Sequence, residues 1–544
     1  MSQGPPTPPD PSKLSPEVAQ LVEQAVQAER AATEAERTAR QAAEAEAAEL
    51  KAYNEKLEHL VKEFERAKFG RSSEKLDPEQ KELVFEDVET AISAAQAEHD
   101  DKQGQSAGGG KQSGRAKSGK ARPMPKHLPK DEAYVEPQDT ACPCGCGQMK
   151  KIGETRSRRL DITPTQYRIK ETVQPRYACP HGNAGVTQAK APAHLIEGGL
   201  PTEALIASII VAKYSEHLPL YRQAQVFERQ DIPVTRSMMA DWLGHASYHL
   251  APVVERMSEL LKQSPKLFMD ETVAPVLDPG RGRTKTGYFW ALARDDRPWN
   301  GPDPPGVVFH YRPGRGGCHA EEILENFDGI LQVDGYQGYC RLAEESRTGG
   351  APVTLAQCWS HARREVIKAT PKSGSPIADG LLKRVAALYE IEAEIRGCDP
   401  EDRRAVRQER SKPLVEELGR WVDAQHRRLS PKSNMAKALA YILRHWNGLC
   451  VFLDDGRVEM DSNPIENAIR PAPLNRKNAL FAGHDEGGAR WGLWASLVGT
   501  CKLNGVDPYA YLKATLEAVA AGHPQSRLDE LLPWNFRQDA GQSG

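Results

Sequence analysis

From residue 266 the chain runs through five short apolar segments, KLFMDETVAPVL, TGYFWALARD, GVVFHYRP, GILQVDGYQGY and VTLAQCW, with a helical stretch, CHAEEILENF, between the third and the fourth. Nothing else in the sequence constrains the fold as much. Runs rich in Val, Leu, Phe and Tyr, bounded by Gly, Pro and Asp, read as strands; three hairpin-like strands, a helix and two more strands build an α/β sheet. Two of these strands deliver an aspartate near their ends, Asp270 and Asp334. Neighbouring strands place such side chains a few ångströms apart, where two anions repel unless divalent cations lie with them. Oxygen-only ligands favour magnesium or manganese. Two such ions about 4 Å apart activate an attacking oxygen and stabilise a leaving one in phosphodiester chemistry. For either aspartate alone the plainer reading is a turn residue at a strand end.

Residues 372–450 interrupt the sheet with GLLKRVAALYEIEAEIRG and SNMAKALAYILRHWNGL, whose apolar stripes and charged faces fit an inserted helical subdomain. The return, FLDDGRVEMDSNPIENAIRP, reads locally as a helix start, with Asn463 as cap, Pro464 in the first turn and Glu466 reaching back to the cap amide. Glu466 is equally a candidate third carboxylate. Arg470, Arg476 and Lys477 follow it and suit phosphate contacts. His361, Arg363 and Arg364, after the fifth strand, either approach the same phosphates or are ordinary helix-start and surface charge.

Upstream, the texture is different. The net charge of −3 hides a division: residues 1–100 carry about ten more acids than bases, and 101–130 about seven more bases than acids. A nearly neutral total therefore does not exclude nucleic acid, which reads local patches. Residues 1–13 are Pro-rich and read as disordered. From 14 to about 70 the chain is a long helix: Val18, Leu21, Ala25, Ala28, Ala32, Ala35 and Ala39 step by threes and fours. Leu50, Leu57 and Phe64 then repeat every seven, so the helix reads as a coiled coil that self-associates; the alternative is a solitary solvated helix stabilised by charge pairs. An acidic segment and a flexible Gly/Ser/Lys linker fill 71–130; the linker either tracks phosphates or is a solvated tether.

Four of the ten cysteines fall within 142–179. In a chain without a secretory signal this clustering points to metal, not a disulfide framework. Cys142, Cys144 and Cys146 of ACPCGCGQM, with Cys179 and His181 of YACPHG, are the candidate zinc ligands over 131–195, and RRLDITPTQYRIKETVQPRYAC between them reads as short strands. The alternative is a turn with reduced thiols. Residues 196–262 are helical: a helix near 219–229 leads through QDIPV to the cap Thr235 and RSMMADWLGHA. This pair resembles a helix-turn-helix that exposes Arg236 and Ser237 to a major groove. The longest apolar run, ALIASIIVA at 204–212, is far too short to span a bilayer, so no membrane is expected and the chain reads as cytoplasmic.

The stretches FGRSSEK, CPCGCGQMKKIGE, LIEGGLPTEAL, EHLPLYRQ, MDET, VDGYQGY, CWSHARRE, DSNPIENAIRPAPLNRKNALFAGHDEGG and AAGHPQSRLDELLPWNF, in this order, carry a resemblance to DDE-class transposases of the insertion-sequence IS66 family. It covers most of the chain from about residue 55. The resemblance implies a multidomain α+β protein: the coiled-coil helix, a zinc-binding segment, a helical DNA-binding segment, and an RNase H-like α/β catalytic domain over 263–500 split by the helical insertion. A helical tail follows over 501–544. It makes Asp270, Asp334 and Glu466 the catalytic carboxylates, holding two magnesium or manganese ions, and implies a nucleoid-associated protein. The implied activity is cleavage at transposon ends to free a 3′ hydroxyl, which attacks target DNA without a covalent protein–DNA intermediate. The implied partners are terminal inverted repeats, target DNA, further copies of the chain and accessory proteins of the element. Where the family supplies a second cysteine pair, this chain has CPHG. Two rivals are a non-catalytic DNA-end-binding regulator and an RNase H-like nuclease without strand transfer.

Overall fold

The computed structural model describes residue 20, most of 27–55, residues 90–98, and 130–537 apart from 164–165, 181–184, 279–282, 372, 474–477 and 479–481. The chain divides into two compact units, Met1–Lys62 and Glu63–Gly544. In the first, residues 27–41 are a helix with every side chain exposed. Thr33 and Thr38 return hydroxyls to carbonyls one turn back, and Arg40 pairs with Glu44 at 2.9 Å, the chemistry of a solvated helix. Ala28, Ala32, Ala35 and Ala39 lie on it; Val18, Leu21, Ala25, Leu50, Leu57, Phe64, FGRSSEK and most of the basic linker lie outside the described residues.

The second unit contains a helix over 90–98 that sequence reading had assigned to an acidic segment. Its Ser93 hydroxyl donates to Asp241 O at 2.5 Å. Gly244 makes the approach possible, since a Cβ there would sit 2.3 Å from Thr90 O. A first sheet holds β1 (Lys130–Tyr134), β2 (Lys150–Thr163), β3 (Gln166–Ala178) and β4 (Val186–Gln188), ordered β1-β3-β2 with β4 on β3. Instead of short strands, β2 and β3 form one long antiparallel hairpin. Opposed charges hold it: Arg158 faces Glu171 in register and donates to it at 2.7 Å.

Next come α1 (Glu203–Tyr214), capped by Thr202, α2 (Leu220–Glu228), and α3 (Arg236–Lys262), capped by Thr235, whose hydroxyl accepts from Met238 N at 3.3 Å. The expected pair of short helices is therefore one short and one of 27 residues. Leu250, Val253, Met257 and Leu261 continue the three- and four-residue spacing and bury α3 in the main core.

That core surrounds a second sheet of β5 (Lys266–Asp278), β6 (Arg283–Arg294), β7 (Gly306–Arg312), β8 (Ile330–Val333) and β9 (Thr354–Gln357), ordered β7-β6-β5-β8-β9. The first three strands are an antiparallel meander; β8 and β9 run parallel to β5. Helix α4 (Gly317–Ile323) links β7 to β8, and α5 (Trp359–Ala369) follows β9. Helices α6 (Pro376–Glu394), α7 (Pro400–Val406), α8 (Lys412–Arg428), α9 (Asn434–Arg444) and α10 (Trp446–Asp454) intervene, with a core shared with α5. The chain returns in α11 (Asn463–Ile469), then α12 (Asp485–Leu503) and α13 (Pro508–Ala520). Helix α12 covers the free edge of β7: Thr500 and Ser496 hydroxyls accept from Val307 N and Phe309 N at 3.0 and 2.8 Å, completing ladder bonds that no strand supplies. Among the described residues no helix is long and apolar enough to cross a membrane.

Candidate functional site

The parallel pairing of β5 with β8 matches Lys266 to Ile330, Leu267 to Leu331 and Phe268 to Gln332. Continued by two residues, that register sets Asp270 level with Asp334, on the same face because side chains alternate. Each carboxylate is steadied by a following amide: Asp270 accepts from Glu271 N and Asp334 from Tyr336 N, both at 2.8 Å. The turn after Asp334 leaves no room for a side chain, as a Cβ on Gly335 would meet the Tyr441 hydroxyl of α9 at 2.1 Å.

Glu271 joins the two aspartates: one carboxylate oxygen from each of the three lies within 4.8 Å of the others. Sequence reasoning missed it, because strict alternation sends it to the opposite face. Its nearly buried side chain accepts from Arg315 Nε at 2.7 Å and from the buried Tyr339 hydroxyl. Arg315 in turn lies 4.0 Å over the Tyr336 ring. Burial, and then the neighbouring Asp334 and Glu271, push the Asp270 carboxyl up to about 8. Burial likewise raises Glu271, against the donors Tyr339 and Arg315. Such a cluster is a poor home for several bare anions and a good one for a cation.

Glu466 sits on α11. Ser462, not Asn463, occupies the cap position, no side chain caps the helix, and the Glu466 carboxylate does not return to the cap amide. It instead faces the start of α5: Oε2 accepts from Arg364 Nη2 at 3.0 Å, and Oε1 lies 3.6 Å from His361 Nδ1. Both Oε1 and Nδ1 are buried without a hydrogen-bond partner. Burial lowers the His361 pKa, although Glu466 and Asp334 oppose it, so the imidazole stands neutral. Glu466 also adds a smaller contribution to the upward shift of Asp270, but its carboxylate groups with Cys358 and His361, not with the Asp270, Glu271 and Asp334 cluster. The returning chain is pinned there. Gln332 of β8 exchanges two 2.9 Å bonds with the Glu459 main chain, Trp359 N donates to Met460 O at 2.9 Å, and Ser462 N donates to Cys358 Sγ at 3.2 Å.

Of the other expected contacts, Arg363 lies over the Tyr389 ring of α6 at 5.4 Å, and Arg470 is exposed just past α11. Arg236 and Ser237 open α3, the first half-buried and the second exposed. Arg476, Lys477 and His181 lie outside the described residues.

A separate cluster gathers Cys142, Cys144, Cys146 and Cys179, one sulfur from each within 4.8 Å of the rest. The knuckle turns on Gly145 and Gly147, both at positive φ, with Cys142 N bonded to Gly147 O at 2.8 Å. Cys144–Cys142 and Cys146–Cys179 sulfurs stand 2.9 and 3.4 Å apart, and all four are free thiols. Shared hydrogen bonds lower Cys144 and raise Cys142 and Cys146, so these three do not ionise together unaided. Four converging sulfurs are the donor set of structural zinc, and they do not require His181.

Comparison with known proteins places these features. Residues 198–490 match the model described as "Transposase IS66 family" and 496–534 the "IS66 C-terminal element". Residues 139–181 match the "zinc-finger binding domain of transposase IS66" and 56–132 the "Transposase C of IS166 homeodomain". Two relatives from Sinorhizobium fredii are each named only as an uncharacterized protein. One, y4jD, is 42% identical over 85% of this chain and 90% of its own length; the other, y4qI, is 41% identical over 92% and 93%. From its zinc finger to its C-terminal element, the chain belongs to the IS66 family of transposases.

Proposed function

We propose that Asp270, Asp334 and Glu466 are the catalytic carboxylates of an RNase H-like DDE transposase that cuts DNA at the ends of its element and joins the freed 3′ hydroxyl to target DNA. The observation that carries the reading is the convergence of Asp270 on β5 with Asp334, the residue just past the parallel strand β8, one carboxylate oxygen of each within 4.8 Å, and the Asp270 carboxyl pushed up to about 8 by burial and by its neighbour. The strand order, three antiparallel strands followed on one side by two parallel ones, supports the RNase H-like assignment.

The donors fit a pair of hard divalent cations, magnesium or manganese. The clustered donors of Asp270, Glu271 and Asp334 are carboxylate oxygens, and the separate Glu466 Oε1 is buried without a hydrogen-bond partner. Asp270 and Asp334 would hold the ions together, with Glu466 completing the site. When bound, such ions sharpen an attacking oxygen and stabilise the leaving one. The chain's own residues do the rest. Arg364 holds the Glu466 carboxylate, and His361 faces its other oxygen. Arg315 and Tyr339 hold Glu271, limiting the negative charge beside Asp270. In each step a P–O bond forms to the attacking water or 3′ hydroxyl, which gives up its proton, and the in-line P–O bond breaks.

Recognition would use the zinc segment, the α3 N-terminus with Arg236 and Ser237, and the cations Arg363 and Arg470, with Arg476 and Lys477 following in the sequence. Terminal repeats and target DNA are the partners on this reading, copies of the chain associate through the N-terminal helix, and the work is done on cytoplasmic DNA.

The test is an assay with labelled element ends and magnesium, comparing wild type with Asp270→Asn and Glu466→Gln. Cleavage and joining by wild type alone supports the reading. Equal cutting by the variants removes the triad, and a wild type that binds ends without cutting returns the regulator.

A further inference from the structure

A second concave surface lies between α5 and α9, outside the carboxylate cluster. It is an open groove of about 350 Å³, and Glu365 and Lys368 from α5 and Asn434, Lys437, Tyr441 and Arg444 from α9 line it. The spacing makes it a built stripe. Arg364 and Lys368 are four residues apart on α5; Lys437, Tyr441 and Arg444 step by four and three on α9, so each set shares one helix face. Lys368, Lys437 and Arg444 are exposed. Lys368 pairs with Glu365 at 2.8 Å, whereas Lys437 and Arg444 have no ion-pair partner among the described residues. The groove therefore carries an excess of positive charge.

Its position gives the charge a direction. Tyr441, in the groove, packs against Gly335, the residue after Asp334. The other wall is α5, whose first turns carry His361 and Arg364 beside Glu466. The stripe thus begins at the carboxylates and leads away from them across the helical insertion. We propose that this groove binds the DNA backbone where the strand leaves the catalytic site, Lys437 and Arg444 contacting successive phosphates with Lys368 alongside. The occupant follows from charge complementarity and from continuity with the carboxylates. Phosphate contacts of this kind fix register and orientation without reading sequence. The inference rests on the catalytic reading above and extends it to the insertion, whose function would be to hold flanking DNA.

The experiment uses full-length protein and fluorescent element-end DNA with flanking sequence, and measures Kd by anisotropy across a salt series. Lys437→Glu/Arg444→Glu is compared with wild type, with the milder Lys437→Gln/Arg444→Gln, and with Lys412→Glu, an exposed lysine that does not line the groove. Expected is a 10- to 100-fold weaker Kd for the reversal pair, a smaller loss for the glutamine pair, and a log Kd–log salt slope shallower by about 2 for either, since each released phosphate contact removes about 0.9. Lys412→Glu should match wild type. Wild-type Kd and slope in both groove pairs overturn the proposal, and so does a weakened Kd with an unchanged slope in the glutamine pair. Failure of the catalytic reading looks different: wild type then cuts no better than Asp270→Asn, whatever the groove variants do.

Discussion

Arg364 donates from Nη2 to Glu466 Oε2 at 3.0 Å, across 102 positions of sequence, and from Nη1 meets His361 Nε2 at 3.1 Å. An arginine has no acceptor, so Nε2 must accept, and the neutral ring then carries its proton on Nδ1. That is the atom 3.6 Å from Glu466 Oε1. The three side chains form a triangle in which one guanidinium sets both the carboxylate and the tautomer of the histidine that faces it.

The triangle predicts unequal effects from two conservative replacements. His361→Asn keeps an amide N–H near the Nδ1 position; His361→Gln moves it to the Nε2 side. On the catalytic reading, the Asn variant should retain most manganese affinity and end cleavage. The Gln variant and Arg364→Ala should lose about 10- to 100-fold in each, the usual cost of removing a group that orients a metal ligand. Manganese titration followed by electron paramagnetic resonance gives the affinity independently of turnover. Equal losses in the Asn and Gln variants would show that His361 only fills space.

Asp270 predicts a pH dependence of stability. Its carboxyl is pushed up to about 8 in the fold, from an ordinary value near 3.8. Between those values the folded chain holds a proton that the unfolded chain releases, so this group's contribution falls as pH rises from about 4 to 8. In magnesium-free buffer the melting temperature of wild type should drop between pH 5.5 and 8.5 by several degrees more than that of Asp270→Asn, which should be the more stable protein at pH 8.5. Adding magnesium at pH 8.5 should recover wild type and leave the variant little changed. Parallel pH curves for the two proteins would be fatal to this account.

How far the sequence alone led can be judged at the same residues. The apolar runs that carry Asp270 and Asp334 were legible because strand composition and flanking turns are local signals, and all five became strands. The length of α3 was hidden by Pro252, which sits inside a helix that tertiary burial sustains. Glu271 was illegible: its pull toward the aspartates depends on Arg315 and Tyr339, 44 and 68 residues away. The local signature of NPIEN pointed to a capping box. What places Glu466 instead is the docking of residues 459–462 on Gln332, Cys358 and Trp359, contacts that reach across the whole helical insertion in sequence.

The cysteine cluster predicts which residue the zinc needs. Because Cys142, Cys144, Cys146 and Cys179 already converge, Cys179→Ser should lower bound zinc from one ion per chain to a small fraction, measured by chelator release under denaturation. End-DNA binding should fall with it, while cooperative unfolding of the main core persists. His181→Ala should keep its zinc. A chain that loses zinc in the histidine variant but not in Cys179→Ser would reassign the fourth ligand.

Tyr339 offers the last test, on the support beneath the carboxylates. Its ring is fully buried and lies 5.9 Å from Trp290, edge to face, while its hydroxyl donates to Glu271. Tyr339→Phe preserves the ring and removes one donor from a nearly buried carboxylate, at a cost of about 1–3 kcal/mol. Arg315 remains, so the fold should survive with a lower urea midpoint and an unchanged m-value. Without the hydroxyl, Glu271 keeps its proton to higher pH, so the loss should be larger at pH 8.5 than at pH 5.5, in the direction that favours the protonated acid. A variant as stable as wild type at both pH values would mean that Arg315 alone carries Glu271.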